Sequence, residues 1–136
     1  MKRIYVAGKY NDTDVIKVLN NIKKGTAACA RILKRGDVPF CPWLDFQFQW
    51  YSDLTVEEYQ RYSMSWLEVC DELYVLNNWH TSGGTKREIE RARELGIPVV
   101  FEPEPGSPYL QICPICRYDN GRPVSGCRRC GRSFCD

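Results

Sequence analysis

Glu88 follows Ser82 by six residues, with Gly83 and Gly84 next to the serine, in the stretch SGGTKREIERAREL. A hydroxyl, two residues without side chains and a carboxylate at the head of an amphipathic helix suit two tasks. In the first, Thr85 is the N-cap and Glu88 reaches back to its backbone N–H in a capping box. The helix dipole favours an acidic side chain there by about 0.3–1 kcal/mol. In the second, the glycines let a ligand approach the backbone, whose N–H groups suit an anion such as phosphate. Ser82 then adds a hydroxyl, Lys9, Lys86 or Arg87 a positive charge, and Glu88 a carboxylate inside a pocket. A capping box needs no glycines before it, which favours the second task without removing the first. The stretch lacks Gly-Lys-Ser/Thr, so it is no P-loop and ATP hydrolysis is not indicated.

A second group with chemistry is PWLDFQFQWY, which sets Trp43, Phe46, Phe48, Trp50 and Tyr51 around Asp45. These aromatics suit either sandwiching a flat ring or a contact between subunits. Asp45 is the best-placed carboxyl for general-acid work, with His80 the weaker choice. Each also reads as an ordinary loop residue.

The third group is cysteine. Cys29, Cys41 and Cys70 stand singly among apolar neighbours and read as buried small hydrophobes. The remaining five of the eight crowd into the last 24 residues. There Cys113-x-x-Cys116 and Cys127-x-x-Cys130 sit ten residues apart, so two tight turns can offer four thiolates to one structural zinc. A disulfide cluster is the rival, but disulfides are rare in the cytosol. Cys135 reads as a bystander, or as a substitute for Cys130. So short a segment has almost no core, and the metal would supply its folding free energy.

These residues need elements to hold them. RIYVAG reads as a buried strand, and Asp12 to about Arg35 as a helix that Gly25 interrupts and Gly36 closes. DVPFCP is a second strand, and Thr55 with Glu58 opens a second helix by a capping box. ELYVLN, TKREIERAREL and IPVVFE supply a third strand, a third helix and a fourth strand, with Gly96 and Pro98 at the last turn. The alternation predicts an α/β fold with a Rossmann-like parallel sheet flanked by helices. Ligands bind such sheets beyond the carboxyl ends of the strands. Gly8, Lys9 and Tyr10, PWLDFQFQWY, and NNWHTSGG should therefore meet at one edge. Asp71 precedes its strand, roughly 20 Å away at about 3.3 Å per residue, and is rejected as catalytic.

We divide the chain into an α/β domain at 1–102, a Pro-rich linker at 103–111, and a zinc ribbon at 112–136. Hydrophobic residues make up 43% and charged residues 26%, as in a soluble globular protein. The sequence holds no apolar run of about 18 residues, and MKRIYVAG reads as a strand, not a signal peptide. No membrane partner is expected, and the expected location is the cytoplasm. A net charge of +2 is too small to indicate nucleic acid. Between Gln111 and Asp136 five arginines face two aspartates, but Tyr118 and Phe134 make a poor stacking platform, so nucleic-acid binding through the ribbon is not favoured.

IYVAGKY, GDVPFCPWL, CDELYVLNNW and SGGTKREIERARELGIPV resemble the nucleoside 2-deoxyribosyltransferase-like superfamily over about residues 3–101. The chain looks closest to its small members, often phage-encoded, and also resembles the 2'-deoxynucleoside 5'-phosphate N-hydrolases. If phage-encoded, the chain would act in the host cytoplasm. The resemblance implies that Glu88 is the catalytic nucleophile, that Ser82 helps hold a 5'-phosphate, and that the protein is a dimer or larger. The transferases carry an aspartate where Ser82 stands, which tilts the substrate towards a nucleotide. The implied substrate-binding set is Gly8, Lys9, Tyr10, Trp43, Ser82, Gly83 and Gly84. Zinc is the expected metal, with no organic cofactor. Two departures stand out: Lys9 replaces a proline, and Ser63 occupies the place of an aspartate near the sugar hydroxyls. The implied function is cleavage or exchange of the N-glycosidic bond of a (deoxy)nucleoside 5'-monophosphate. The alternative is a non-catalytic nucleotide-binding or regulatory protein whose ribbon contacts a partner.

Overall fold

The computed structural model describes residues 1–104, 110–112 and 119–131. They fall into two units, 1–101 and 102–136. The first is built from four parallel strands: β1 (Arg3–Ala7), β2 (Val38–Phe40), β3 (Glu72–Val75) and β4 (Val99–Phe101), ordered β2-β1-β3-β4. Among them run α1 (Val15–Lys34), α2 (Val56–Leu67) and α3 (Gly83–Glu94). This is the expected α/β architecture. Strand β1 lies between β2 and β3, so the chain reverses its direction of winding beside β1. A crevice opens at such a switch point, beyond the carboxyl ends of the strands.

The period of two in β1 divides the core. Ile4 and Val6 pack with Ala28, Cys29 and Ile32 of α1 on one face. Tyr5 and Ala7 pack on the other with Leu67, Ile89 and Ala92 of α2 and α3. The alternation therefore sends the one polar-tipped residue of this buried strand towards α3.

Three details of the elements differ from the sequence reading. Helix α1 starts at Val15, because Asp14 caps it by accepting from the Ile16 N–H. Gly25 does not interrupt that helix. A Cβ there would lie 2.3–2.6 Å from the Trp43 indole, so the glycine is a seat for the ring. The PWLDFQFQWY stretch forms a 3₁₀ segment, Pro42–Trp50. Elsewhere the signals hold. Thr55 and Glu58 form both bonds of the capping box, and Gly36 and Gly96 take φ of 99° and 71° after their helices. Asp71 pairs with Arg3 at the amino ends of the strands, as its rejection required.

Gly25→Ala should destabilise the domain. Alanine gains about 1 kcal/mol of helix propensity, but the buried indole has nowhere to retreat, and overpacking costs typically about 1–3 kcal/mol, occasionally more. Urea denaturation should show a lower midpoint, and an unchanged or higher one would refute the seat.

In the second unit, β5 (Leu110–Ile112) pairs antiparallel with β6 (Asp119–Val124), and β5 begins inside the span assigned to the linker. No helix among the described residues is long and apolar enough to cross a membrane.

Candidate active site

The segments after β1, β2 and β3 do meet, around a cavity of about 390 Å³. That volume suits a small organic ligand. Gly8 brings the chain leaving β1 against the chain leaving β3: a Cβ there would meet Leu76 Cδ1 at 2.8 Å and Asn78 Oδ1 at 3.0 Å. The Asn78 side chain then accepts from the Lys9 backbone N–H at 3.0 Å. Lys9 and Tyr10 are thereby held on the cavity wall.

The capping reading of Glu88 is overturned. Helix α3 starts at Gly83, and its N-cap is Ser82, whose hydroxyl accepts from the Thr85 N–H at 3.2 Å and from Thr85 Oγ1 at 2.9 Å. Ser82 and Thr85 have the same three-residue spacing as Thr85 and Glu88, and the earlier pair wins because Thr85 is buried. Glu88 is left in the second turn, where its carboxylate accepts from the Tyr5 hydroxyl at 2.7 Å. Tyr5 is itself fully buried, and Ser63 beside its hydroxyl works against the rise in its pKa. Burial pushes Glu88 up to about 7, against the opposing pull of the Tyr5 bond and the Arg87 charge. Burial also raises the Tyr5 phenol well above its ordinary value, with the Glu88 carboxylate adding to the rise.

Asp45 lies on the same cavity, and burial pushes it up to about 6. Two carboxyls titrating near neutrality in one cavity are a pattern of acid–base sites.

At the head of α3, Gly83 and Gly84 occupy the first two helical positions, whose N–H groups have no acceptor within the helix. The Arg87 guanidinium lies over them: a Cβ would meet it at 3.6 Å on Gly83 and at 4.0 Å on Gly84, where Ser82 Oγ is also 4.0 Å away. Of the three cations considered for this place, Arg87 is the one that fits. Lys9 lines the cavity but pairs with Asp12 at 3.1 Å, and Lys86 does not line it.

Two candidates sit apart from the rest. Trp43 is only 2% exposed, packed over Gly25, with its indole N–H donating to the Lys9 carbonyl at 3.3 Å. It borders the cavity as a buried post and leaves almost no surface for stacking. His80 is exposed, lies against Trp79 with ring centres 4.3 Å apart and planes tilted by 31°, and is not among the residues lining the cavity. Of the other aromatics, Phe46 lines the cavity, whereas Phe48, Trp50 and Tyr51 are exposed. Sequence reading missed Tyr5, Asn78 and Tyr59. The first carried a signal, since a tyrosine in a buried strand must satisfy its hydroxyl.

Of the four zinc candidates, Cys113 and Cys116 lie outside the described residues, as does Cys135. Cys127 is buried, and its sulfur accepts from the N–H groups of Arg129 and Cys130, both at 3.4 Å. Gly131 follows with φ of 74°. Among the described residues no cluster of three or more metal-ligating side chains is found.

The model of a family described as a domain of unknown function (DUF7768) matches residues 2–102, and the chain belongs to that family. No curated protein matches the sequence at a significant level. Among solved structures, the 2-deoxyribosyltransferase of the psychrotolerant bacterium Bacillus psychrosaccharolyticus is similar, with a TM-score of 0.54 at 16% identity. The match covers 73% of this chain and 70% of that one. At that identity the likeness establishes a shared fold.

Proposed function

We propose that this DUF7768 member cleaves or exchanges the N-glycosidic bond of a (deoxy)nucleoside 5'-monophosphate, with Glu88 as the nucleophile. The observation that carries the reading is the placement of two features on one helix. Unpaired N–H groups of Gly83 and Gly84, with Ser82 and the Arg87 guanidinium beside them, suit an anion at the head of α3, and the buried Glu88 carboxyl lies six residues after Ser82. Six residues rise roughly 9 Å along a helix, a span that a pentose 5-phosphate bridges with contact distances at both ends. The fold shared with a 2-deoxyribosyltransferase supports the same class of chemistry.

In this reading a Glu88 oxygen attacks the anomeric carbon while the C–N bond breaks and its electron pair leaves with the base. Tyr5 fixes the attacking carboxylate by its hydrogen bond. Asp45, protonated, gives its proton to the departing base nitrogen. Water, or a second base, then attacks the same carbon and releases the glutamate. A water nucleophile returns a proton to Asp45.

Base release tests the proposal. The protein is incubated with ribo- and deoxyribonucleoside 5'-monophosphates, and separately with the nucleosides, and free base is followed by chromatography. Release from the monophosphates, and little from nucleosides, is expected. One observation favours a second reading. Ser63 stands near Tyr5 where relatives would present a carboxyl to the sugar, and binding without release from any substrate would make the protein a nucleotide-binding module.

We also propose that Cys113, Cys116, Cys127 and Cys130 hold a structural zinc. Support comes from Cys127, whose sulfur draws two backbone N–H groups in a turn closed by Gly131. Such donors stabilise a thiolate. Metal analysis of the purified chain should find one zinc per molecule, lost in Cys127→Ser. Absence of zinc from protein purified without chelator would end the assignment.

A further inference from the structure

Tyr59, on α2, lines the cavity, and its hydroxyl is shielded from solvent with no hydrogen-bond partner among the described residues. A buried phenol left unpaired is costly, and proteins retain few such groups. Two more polar groups converge on it from other elements. Tyr10, after β1, lines the same cavity, and the Asp45 carboxylate adds to the rise that burial gives its phenol. Asp45, from the 3₁₀ segment, has no ion pair among the described residues and receives only its own backbone N–H. Besides the group at the head of α3, the cavity wall carries Glu88 beside Tyr5, and Tyr10, Asp45 and Tyr59 from three other elements. The Asp45 charge reaches Tyr5 as well as Tyr10.

In the glycosidic reading these groups serve successive parts of a nucleotide. With the sugar on Glu88 and the departing nitrogen on Asp45, the far edge of the base falls towards α2. We propose that Tyr59, with Tyr10, forms the recognition site for the hydrogen-bonding edge of the nucleobase, Tyr59 donating its O–H to a ring nitrogen or oxo group there. The assignment rests on the glycosidic reading of the cavity and makes Tyr59 a specificity-determining residue. Phe46, Leu54 and Val56, which also line the cavity, supply apolar surface for the faces of the ring. Binding would give the stranded hydroxyl the partner that the fold withholds.

The test is calorimetric titration in a Glu88→Gln background, which stops turnover. Nucleoside 5'-monophosphates are one probe and ribose 5-phosphate, which has no base, is the other. Tyr59→Phe should weaken the best-bound nucleotide about tenfold and leave ribose 5-phosphate unaffected. It should also raise the melting temperature of the ligand-free protein, because no unpaired hydroxyl remains to be buried. Tyr62→Phe, one turn along α2 and absent from the cavity lining, should change neither affinity. Unchanged nucleotide affinity in Tyr59→Phe, an equal loss for both probes, or a lower melting temperature would each overturn the assignment. If the parent protein binds ribose 5-phosphate as tightly as any nucleotide, the base subsite fails while the anion site at the head of α3 stands. If it binds neither probe, the glycosidic reading falls, and this inference with it.

Discussion

Glu88→Gln is expected to abolish base release, by at least about 10³-fold, while making the protein more stable at alkaline pH. The first effect follows from removing the nucleophile while retaining its shape. The amide oxygen still accepts from Tyr5, so nucleotide binding should survive. The second follows from burial. The ordinary value of this carboxyl is 4.5, and in the fold it is pushed up to about 7. The folded state therefore binds a proton that the unfolded chain has already lost. Stability from the protonated form is full below about pH 4.5 and is lost as the pH rises through about 7. Above that, the ionised carboxylate costs on the order of 3 kcal/mol, at 1.36 kcal/mol per pH unit. Glutamine never ionises and escapes this loss. Melting curves of the two proteins should coincide near pH 4.5 and separate by pH 8, with the variant higher. A variant less stable than the parent at pH 8 would show that the ionised carboxylate is a structural ion and not a group held at a cost for chemistry.

The site was legible where its logic is local and hidden where it is not. Alternating strands and helices, their caps and the sheet edge at which ligands bind all follow from short-range pattern. So Gly8, Lys9, Tyr10, Ser82, Gly83, Gly84 and Glu88 were brought to one cavity. The cap of α3 was misplaced because Ser82-x-x-Thr85 and Thr85-x-x-Glu88 present the same spacing, and only burial of Thr85 decides between them. Glycines also argue for a loop by propensity, yet at the first two positions of a helix they leave free N–H groups. The bond between Tyr5 and Glu88 spans 83 residues of sequence, beyond any local rule. Trp43 and Gly25 were each read alone, as a stacking ring and a helix interruption. Together they are a knob and its seat, a relation that exists only once α1 and the 3₁₀ segment are packed.

Asp45→Asn carries the other large expectation, because Glu88 must be ionised and Asp45 protonated in the same molecule. With Glu88 at about 7 and Asp45 at about 6, these requirements overlap poorly. Near pH 6.5 only a minority of molecules hold both needed forms at once. Base release should therefore follow a narrow bell centred near pH 6.5, falling on the acid side as Glu88 is protonated and on the alkaline side as Asp45 ionises. Asparagine cannot give up the proton, so release should fall by about 10²–10³-fold. The alkaline limb should vanish with it. What remains should rise with pH and level off above about 7, as Glu88 alone titrates. A sugar phosphate bearing a leaving group that needs no proton should recover most of the lost rate. If the alkaline limb persists in the variant, or if the activated leaving group is not rescued, the proton comes from elsewhere. The raised carboxyl on the 3₁₀ segment would then serve to bind the base and not to release it.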